Sequence, residues 1–404
     1  MKKLICLKLA TVIALSTTCL NTVNPSAATN FYYPLPSGNY GIASKYAGDF
    51  NIGSDPEVIL AEDFENYSKM SDLRRAWSTI NEDHMNLSSD RENLIGGKQS
   101  LQLNLPAQNI ERYTGLDLNL PENKRQDTVF VRYYQKIDKS YSISNTTSNH
   151  NGASISSRYY NCGADSGPGI CANGTNKFLA MLQSTQSTVF EGHNMMIYTY
   201  HPDMRYNSQT PSPFDKEIRP STPRGEQYGD HLYPDGTVCP WTYKKGNYGE
   251  GFVERPIYRI ELGEWYCYEL MLKANAPGQR DGRLTAWING ETVMDFGNMR
   301  FRDIEDLKID SVGFTFGCAS TPTATKSWFD NIVIATSYIG PIYEGSLKGD
   351  INSDSLVDGT DIAMLQEHIL AQTALTDKQA VIANMDSDET LDVFDLVMLR
   401  NKAI

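Results

Sequence analysis

From Val58 onward apolar and polar residues alternate in short runs rich in aromatic and β-branched types. That period of two is the pattern of half-buried strands. It predicts strands over 58–64, 100–104, 128–137, 153–159, 178–182 and 195–201. A second set is predicted over 256–262, 265–273, 283–289, 293–296, 311–316 and 328–335. Asn289-Gly290 separates two of these runs, and this dipeptide favours a two-residue hairpin turn because both positions tolerate positive φ. Before residue 345 little repeats at a helical period. Many short antiparallel strands with polar connections predict an all-β chain folded as a two-sheet antiparallel sandwich, most simply a jelly roll.

The two ends depart from this pattern. Lys2, Lys3 and Lys8 precede an apolar run from Leu9 to Leu15, and Ser26-Ala27-Ala28 offers small residues for cleavage. Residues 1–28 therefore read as a secretory signal peptide, the apolar run being too short to span a bilayer. No later stretch reads as a transmembrane segment, so the expected location is extracellular. Residues 29–56, rich in Tyr, Pro, Gly and Ser without periodicity, read as an irregular leader laid over the main domain or partly disordered. The jelly roll is expected over 57–343 and a short linker over 344–348.

Residues 349–404 contain one pattern written twice. Asp350, Asn352, Asp354, Asp358 and Asp361 stand at offsets 1, 3, 5, 9 and 12, and Asn384, Asp386, Asp388, Asp392 and Asp395 repeat those offsets. Leu356 and Thr390 offer backbone carbonyls at offset 7. Six to eight oxygens wrapped by a twelve-residue loop are what a calcium ion requires. An apolar helical stripe follows each loop (Ile362, Leu365, Ile369 and Leu370, then Leu396, Val397 and Leu399), predicting a small all-α unit holding two ions. The stretch resembles a type I dockerin, the calcium-dependent plug of cellulosomal proteins, including Asp rather than Glu at the twelfth position. Ser355 and Glu389 stand where a turn glycine is usual, and Asn384 opens the second loop, which predicts weaker calcium binding there. The resemblance implies a scaffoldin cohesin as partner, met by the tenth and eleventh loop positions, Gly359, Thr360, Val393 and Phe394. Those pairs differ, which argues against two equivalent binding orientations.

The net charge of −13 argues against nucleic acid as a partner. Of seven cysteines, Cys6 and Cys19 lie in the expected signal peptide. The remainder (Cys162, Cys171, Cys239, Cys267 and Cys318) is odd in number, so no complete disulfide framework is expected. Cys162 and Cys171 enclose a Gly-rich turn and could bridge or stay free. Cys267, inside a strand pattern, is expected to be a buried thiol.

The chemistry of the main domain is expected on Tyr198 and Tyr200, two apart on a strand and so on one face. Upstream, Ser156 and Arg158 are also two apart, just after Asn149-His150-Asn151-Gly152. This set resembles the jelly-roll alginate and glucuronan lyases, most nearly polysaccharide lyase family 14. The resemblance implies catalytic roles for Ser156, Arg158, Tyr198 and Tyr200, with His150 or Asn151 standing where that family carries a lysine. β-Elimination on a uronate needs the carboxylate neutralised, the C5 proton abstracted and the leaving oxygen protonated. Arg158 is suited to pair with a carboxylate, the tyrosines to transfer protons, and His150 or His201 to act as a base near neutrality. The segment 201–260 adds Arg205, Lys216, Arg219, Arg224, Lys244, Lys245, Arg255 and Arg259 interleaved with Tyr206, Tyr228, Trp241, Tyr243 and Tyr248. That combination suits an acidic sugar polymer. Ala61 to Glu65, Glu264 to Glu269 and Trp328 to Ile332 resemble the concanavalin-type jelly rolls of secreted polysaccharide-active proteins. There an acid of the first strand and an Asp of the last share a structural calcium, making Asp63, Glu65 and Asp330 candidates. No Glu-x-Asp-x-x-Glu run of a retaining glucanase is present. A glycoside hydrolase with carboxylates assembled from distant positions, and a non-catalytic carbohydrate-binding module, stand as alternatives.

Overall fold

The computed structural model describes residues 35–38, 40–142, 149–186, 192–204, 229–239, 244–318, 320–343, 348–354, 356–386, 388 and 390–403. The expected signal peptide, most of the linker and the turn positions Ser355 and Glu389 lie outside these residues, as do Arg205, Tyr206, Lys216, Arg219, Arg224, Tyr228, Trp241 and Tyr243. No helix among the described residues is long and apolar enough to cross a membrane.

Two antiparallel sheets face each other as a jelly-roll sandwich. The first runs β16 (Glu291–Met299), β15 (Gly282–Ile288), β14 (Trp265–Lys273), β6 (Thr128–Ile137), β18 (Thr325–Ala335), β4 (Ser100–Leu105) and β3 (Met85–Ser88). The strand β1 (Val58–Glu62) pairs with the half of β18 that β4 leaves open. The second runs β12 (Lys244–Lys245), β11 (Thr237–Cys239), β10 (Asp230–Leu232), β9 (His193–Tyr200), β8 (Phe178–Gln186), β7 (Asn149–Ser157), β17 (Ser311–Cys318), β5 (Arg112–Asn119) and β2 (Thr79–Ile80). β13 (Arg259–Ile260) adds to the start of β9. The hairpin between β15 and β16 turns on Asn289 and Gly290 at φ 51° and 81°, the geometry that this dipeptide favours.

Alternation along each strand divides core from surface. On β9, Met195 and Ile197 enter the space between the sheets; on β7, Ala153 and Ile155 do; on β17, Val312, Phe314 and Phe316 do. They meet Tyr133, Leu270, Phe329 and Ile334 of the first sheet. Tyr133 sits at the centre, its ring 5.4 Å from those of Tyr268 and Phe314.

The outer face of the first sheet is covered by the chain's own flanks. Residues 35–56 form short 3-10 turns rather than strands. Ile42, Ala43 and Ile52 pack on Val333, Ala335 and Ile339, and Asp49 forms an ion pair with the wholly buried Arg132. The segment after β18 lies beside them: Ile42 N–H donates to Tyr338, Ala43 N–H to Ile339 and Gly48 N–H to Tyr343. Glu269, buried on β14, accepts the N–H groups of Ile339 (2.8 Å) and Gly340 (2.9 Å). Its neighbour Cys267 is a buried thiol whose pKa desolvation pushes up to about 12. Cys162 and Cys171 stand as separate thiols.

The C-terminal unit is helical: α1 (Gly359–Ile369), α2 (Asp377–Ala383) and α3 (Val393–Lys402) close over Ile351, Val357, Leu365, Leu396 and Leu399. Asp358 and Asp392 cap α1 and α3 in matching capping boxes.

Candidate functional site

The outward residues of the second sheet line up in rows across its strands. One row reads Asp117, Gly313, Ser154, Met181, Tyr198, His231, from β5 across to β10. The next reads Asn119, Ser311, Ser156, Leu179, Tyr200. The middle of the face carries small side chains, while aromatic rings stand toward β9 and β10. These rings form a wall along one side of the face.

The wall is a set of phenols and imidazoles. The Tyr198 hydroxyl donates to that of Tyr200 (3.2 Å) and accepts from Gly229 N–H (3.2 Å). Its ring lies 5.1 Å from His150 and 5.3 Å from His231. His150 is oriented by Gln183 Oε1 (2.9 Å) and by the Tyr113 ring at 5.5 Å. Tyr113 reaches it because residue 317 is glycine: a Cβ there would stand 2.0 Å from the Tyr113 ring. Tyr200 also meets Tyr159, ring to ring at 5.2 Å. Beneath both, the buried Lys177 ammonium lies 5.2 Å from the Tyr159 ring and 5.5 Å from that of Tyr200. It donates to the carbonyls of Asp165 and Gly167 (both 2.5 Å), pinning the loop that crosses Tyr200.

Burial sets the proton chemistry. It raises the Tyr198 and Tyr200 phenols well above their usual value, and neighbouring phenols add to this. Desolvation lowers both imidazoles, His150 against the Gln183 bond and His231 to about 4 with His150 contributing. Near neutrality this gives neutral phenols that donate and neutral imidazoles that accept. Asp117, raised to about 6 by desolvation, leans over Gly313 toward Ser154: a Cβ on Gly313 would stand 2.3 Å from its carboxylate and 3.1 Å from Ser154 Oγ.

Of the expected residues, the sheet brings His150, Tyr198 and Tyr200 together and puts Ser156 on the row of Tyr200. Arg158 departs. β7 ends at Ser157, and Arg158 takes φ 50°, which breaks the alternation that would have set it on the face of Ser156. Its N–H donates to Asp310 (3.0 Å) and its guanidinium to the Asp306 carbonyl (3.3 Å). Among the described residues no guanidinium stands against Tyr198. His201 lies one residue beyond Tyr200 and faces the other way. It contacts Asp230 (3.3 Å) in a cavity of about 180 Å³ shared with Asp203, Arg280 and Arg300. Tyr248 is a packing residue against Phe252 and Phe296. Sequence spacing does not reveal His231, Asp117 and Tyr113, which strand register brings to the site, nor Lys177 and Tyr159, which lie in the connection between β7 and β8.

The candidate jelly-roll ion site is held by backbone donors. Asp330 accepts Ile95 and Asn331 N–H, Glu65 accepts Lys98 and Gln99 N–H, and Asp63 accepts Glu65 N–H. Burial, with Glu65 and Asp63 nearby, raises Asp330 to about 8. Among the described residues no group of three or more His, Cys, Asp or Glu is closed around a metal, here or in the helical unit. The donor set of the two helical loops is nonetheless all oxygen, and its two halves are built alike. Asp361 accepts N–H groups of Ile351, Asn352 and Asp358; Asp395 accepts those of Met385, Asp386 and Asp392. That chemistry fits a hard cation.

Residues 348–402 match the dockerin type I domain family. No curated protein matches the chain. Among solved structures, alginate lyase Aly36B is similar at 17% identity over 68% of this chain and 96% of that one, with a TM-score of 0.45. A PL-14 alginate lyase from Aplysia kurodai is similar at 13% over 69% and 99%, with a TM-score of 0.45. An endo-β-1,4-glucuronan lyase from Trichoderma reesei is similar at 10% over 69% and 95%, with a TM-score of 0.38.

Proposed function

We propose that this chain is a secreted polysaccharide lyase that cleaves a uronate-containing polymer by β-elimination and is carried into a cellulosome by its dockerin. The observation that carries the reading is the buried Tyr198 ring standing 5.1 Å, centroid to centroid, from the ring of the half-buried His150 on the outer face of the second sheet. His150 takes the C5 proton, the C–H electrons form the C4–C5 double bond, and the glycosidic oxygen leaves with the proton of Tyr198. Transfer from imidazolium to phenolate restores the site. Tyr198 serves as the acid rather than the base because burial disfavours its phenolate and, among the described residues, no cation offsets this. Along these rows Asp117 is the one carboxylate among the described residues, whereas a hydrolase needs a facing pair.

Calcium is held by Asp350, Asn352, Asp354, Asp358 and Asp361 with the Leu356 carbonyl, and by Asn384, Asp386, Asp388, Asp392 and Asp395 with the Thr390 carbonyl. With calcium bound, the loop carboxylates would no longer repel one another, and each loop would hold the start of the helix that follows. The cohesin meets Gly359, Thr360, Val393 and Phe394. Exposure of Val393, Phe394, Val397 and Met398 supports α3 as the apolar side of that contact.

The test is to incubate the protein with alginate, polyglucuronate, pectate and xylan, following both the ultraviolet absorbance of unsaturated uronate ends and new reducing ends. Both rising together is the expected result. Reducing ends alone would mean hydrolysis, and binding without either would mean a carbohydrate-binding module.

A further inference from the structure

The rows of the second sheet hold more than one candidate base. β9 is paired on one side with β8 and on the other with β10, and His231 lies directly opposite Tyr198 in the β9–β10 register. His150 reaches the same phenol from β7, two strands away on the other side. Tyr198 is fixed between them by Gly229 N–H and the Tyr200 hydroxyl. Glycine at 229 makes this approach possible, since a Cβ there would stand 2.8 Å from the Tyr198 ring.

We infer that His231 is a second general base, set on the opposite side of the Tyr198 acid from His150, so that the site removes C5 protons from uronates of either C5 configuration. This rests on the β-elimination reading above. Epimers at C5 keep the same C4–O bond to be broken but present the C5 proton on opposite faces of the ring. One acid with one base serves one epimer; one acid with a base on each side serves both. For either epimer the balance is the same. The imidazole gains the C5 proton, the C–H pair becomes the C4–C5 double bond, and the C4–O pair leaves on oxygen, which takes the Tyr198 proton. The imidazolium then returns its proton to the phenolate, and no water or redox partner enters.

The surroundings of His231 suit the role. Its ring is partly exposed, whereas Tyr198 is buried. The charged or titratable neighbours acting on it are His150, which disfavours its cation, and Asp230, which favours it. The Asp230 carboxylate is engaged by His201 on the other side of the sheet. Desolvation outweighs Asp230, so the ring is neutral and able to accept a proton.

The experiment uses the full chain on two pairs of C5-epimeric homopolymers: β-D-mannuronate with α-L-guluronate, and D-glucuronate with L-iduronate. Initial rates of unsaturated-end formation are read for the native protein, His150→Gln and His231→Gln. Native protein is expected to cleave both members of at least one pair. Each variant should then lose about a hundredfold or more on one epimer, a different one for each, in line with the size of general-base contributions. The activity each variant keeps on the other epimer shows that it is folded. Cleavage of one epimer alone by native protein, parallel loss of both in either variant, or no loss in His231→Gln would overturn the inference while leaving β-elimination standing. No unsaturated ends from any of the four polymers or from pectate would overturn the lyase reading itself.

Discussion

Replacing Tyr198 with phenylalanine removes one oxygen and keeps the ring. That ring contacts His150, His231 and Tyr200 at centroid distances of 5.1, 5.3 and 5.6 Å, so packing of the wall should survive. Two hydrogen bonds go with the hydroxyl: Gly229 N–H loses its acceptor and Tyr200 loses a donor. Tyr200 keeps the backbone donor Gly169. The uncompensated loss is therefore one buried N–H, worth roughly 1–3 kcal/mol of stability, and the variant should melt a few degrees lower. Catalysis should suffer more. Losing a positioned general acid costs on the order of 10² to 10⁴ in rate, or about 3–5 kcal/mol of barrier. The loss should appear in kcat with KM little changed, because the proton moves only in the transition state. Steady-state rates on the best polymer from the four-substrate screen, beside a thermal melt, separate the two effects. Tyr200→Phe should cost less, since it removes the acceptor of the Tyr198 proton rather than the acid. A Tyr198→Phe protein with near-native kcat would refute the assignment of the acid.

The pH profile should have an acid limb only. Desolvation lowers both imidazoles from their usual value, and they must be neutral to accept a proton, so kcat should fall only on the acid side of the ordinary imidazole range and stay level through neutrality; an alkaline fall below pH 10 would contradict phenols that burial raises above that value. Glu269 has a folded pKa of about 7, above its ordinary 4.5. Its contribution to stability is thus full below pH 4.5, is lost as pH rises through 7 and amounts to about 3 kcal/mol. Melting temperature should fall between pH 5 and 8 in native protein and fall less in Glu269→Gln, as read by thermal denaturation across buffers. In the dockerin, Asp361→Ala strips acceptors from three backbone N–H groups. It should abolish calcium-dependent cohesin capture in a pull-down while polymer cleavage is unchanged, and Asn384→Asp should tighten calcium binding by calorimetry.

What could be read in advance follows from how locally each feature is specified. Thr128–Ile137 and Trp265–Lys273 alternate over nine or more residues, and both strands occur at the predicted bounds. Arg112–Asn119 pairs along the whole of β17, yet Gly115 and Asp117 at its centre hide its period. Residues 35–56 reach the sheet through only a few scattered apolar side chains, leaving no period to read. The Tyr-x-Tyr pair was legible because two positions on one strand share a face. Ser156 and Arg158 obeyed the same rule until the backbone turned left-handed at Arg158, which spacing cannot reveal. His231 sits on a three-residue strand after a long aperiodic segment, and its place opposite Tyr198 is a matter of register, fixed by pairing across the sheet rather than by neighbours in sequence.

The covered back of the first sheet has a mechanical meaning. The chain leaves the sandwich toward the dockerin through residues 336–343, which lie on the sheet turned away from the phenol and imidazole wall. Were the dockerin held by a scaffold, tension would enter at Tyr343 and be met first by the Gly48 bond, then by the Tyr134 hydroxyl under Ile342, then by the paired grip of Glu269 on Ile339 and Gly340. These fastenings and the Ile42 and Ala43 bonds lie one after another along the exit path, so a pulled tether loads several of them before β18. Such a load would be taken up on the first sheet, away from the Tyr198 and His150 rings on the second.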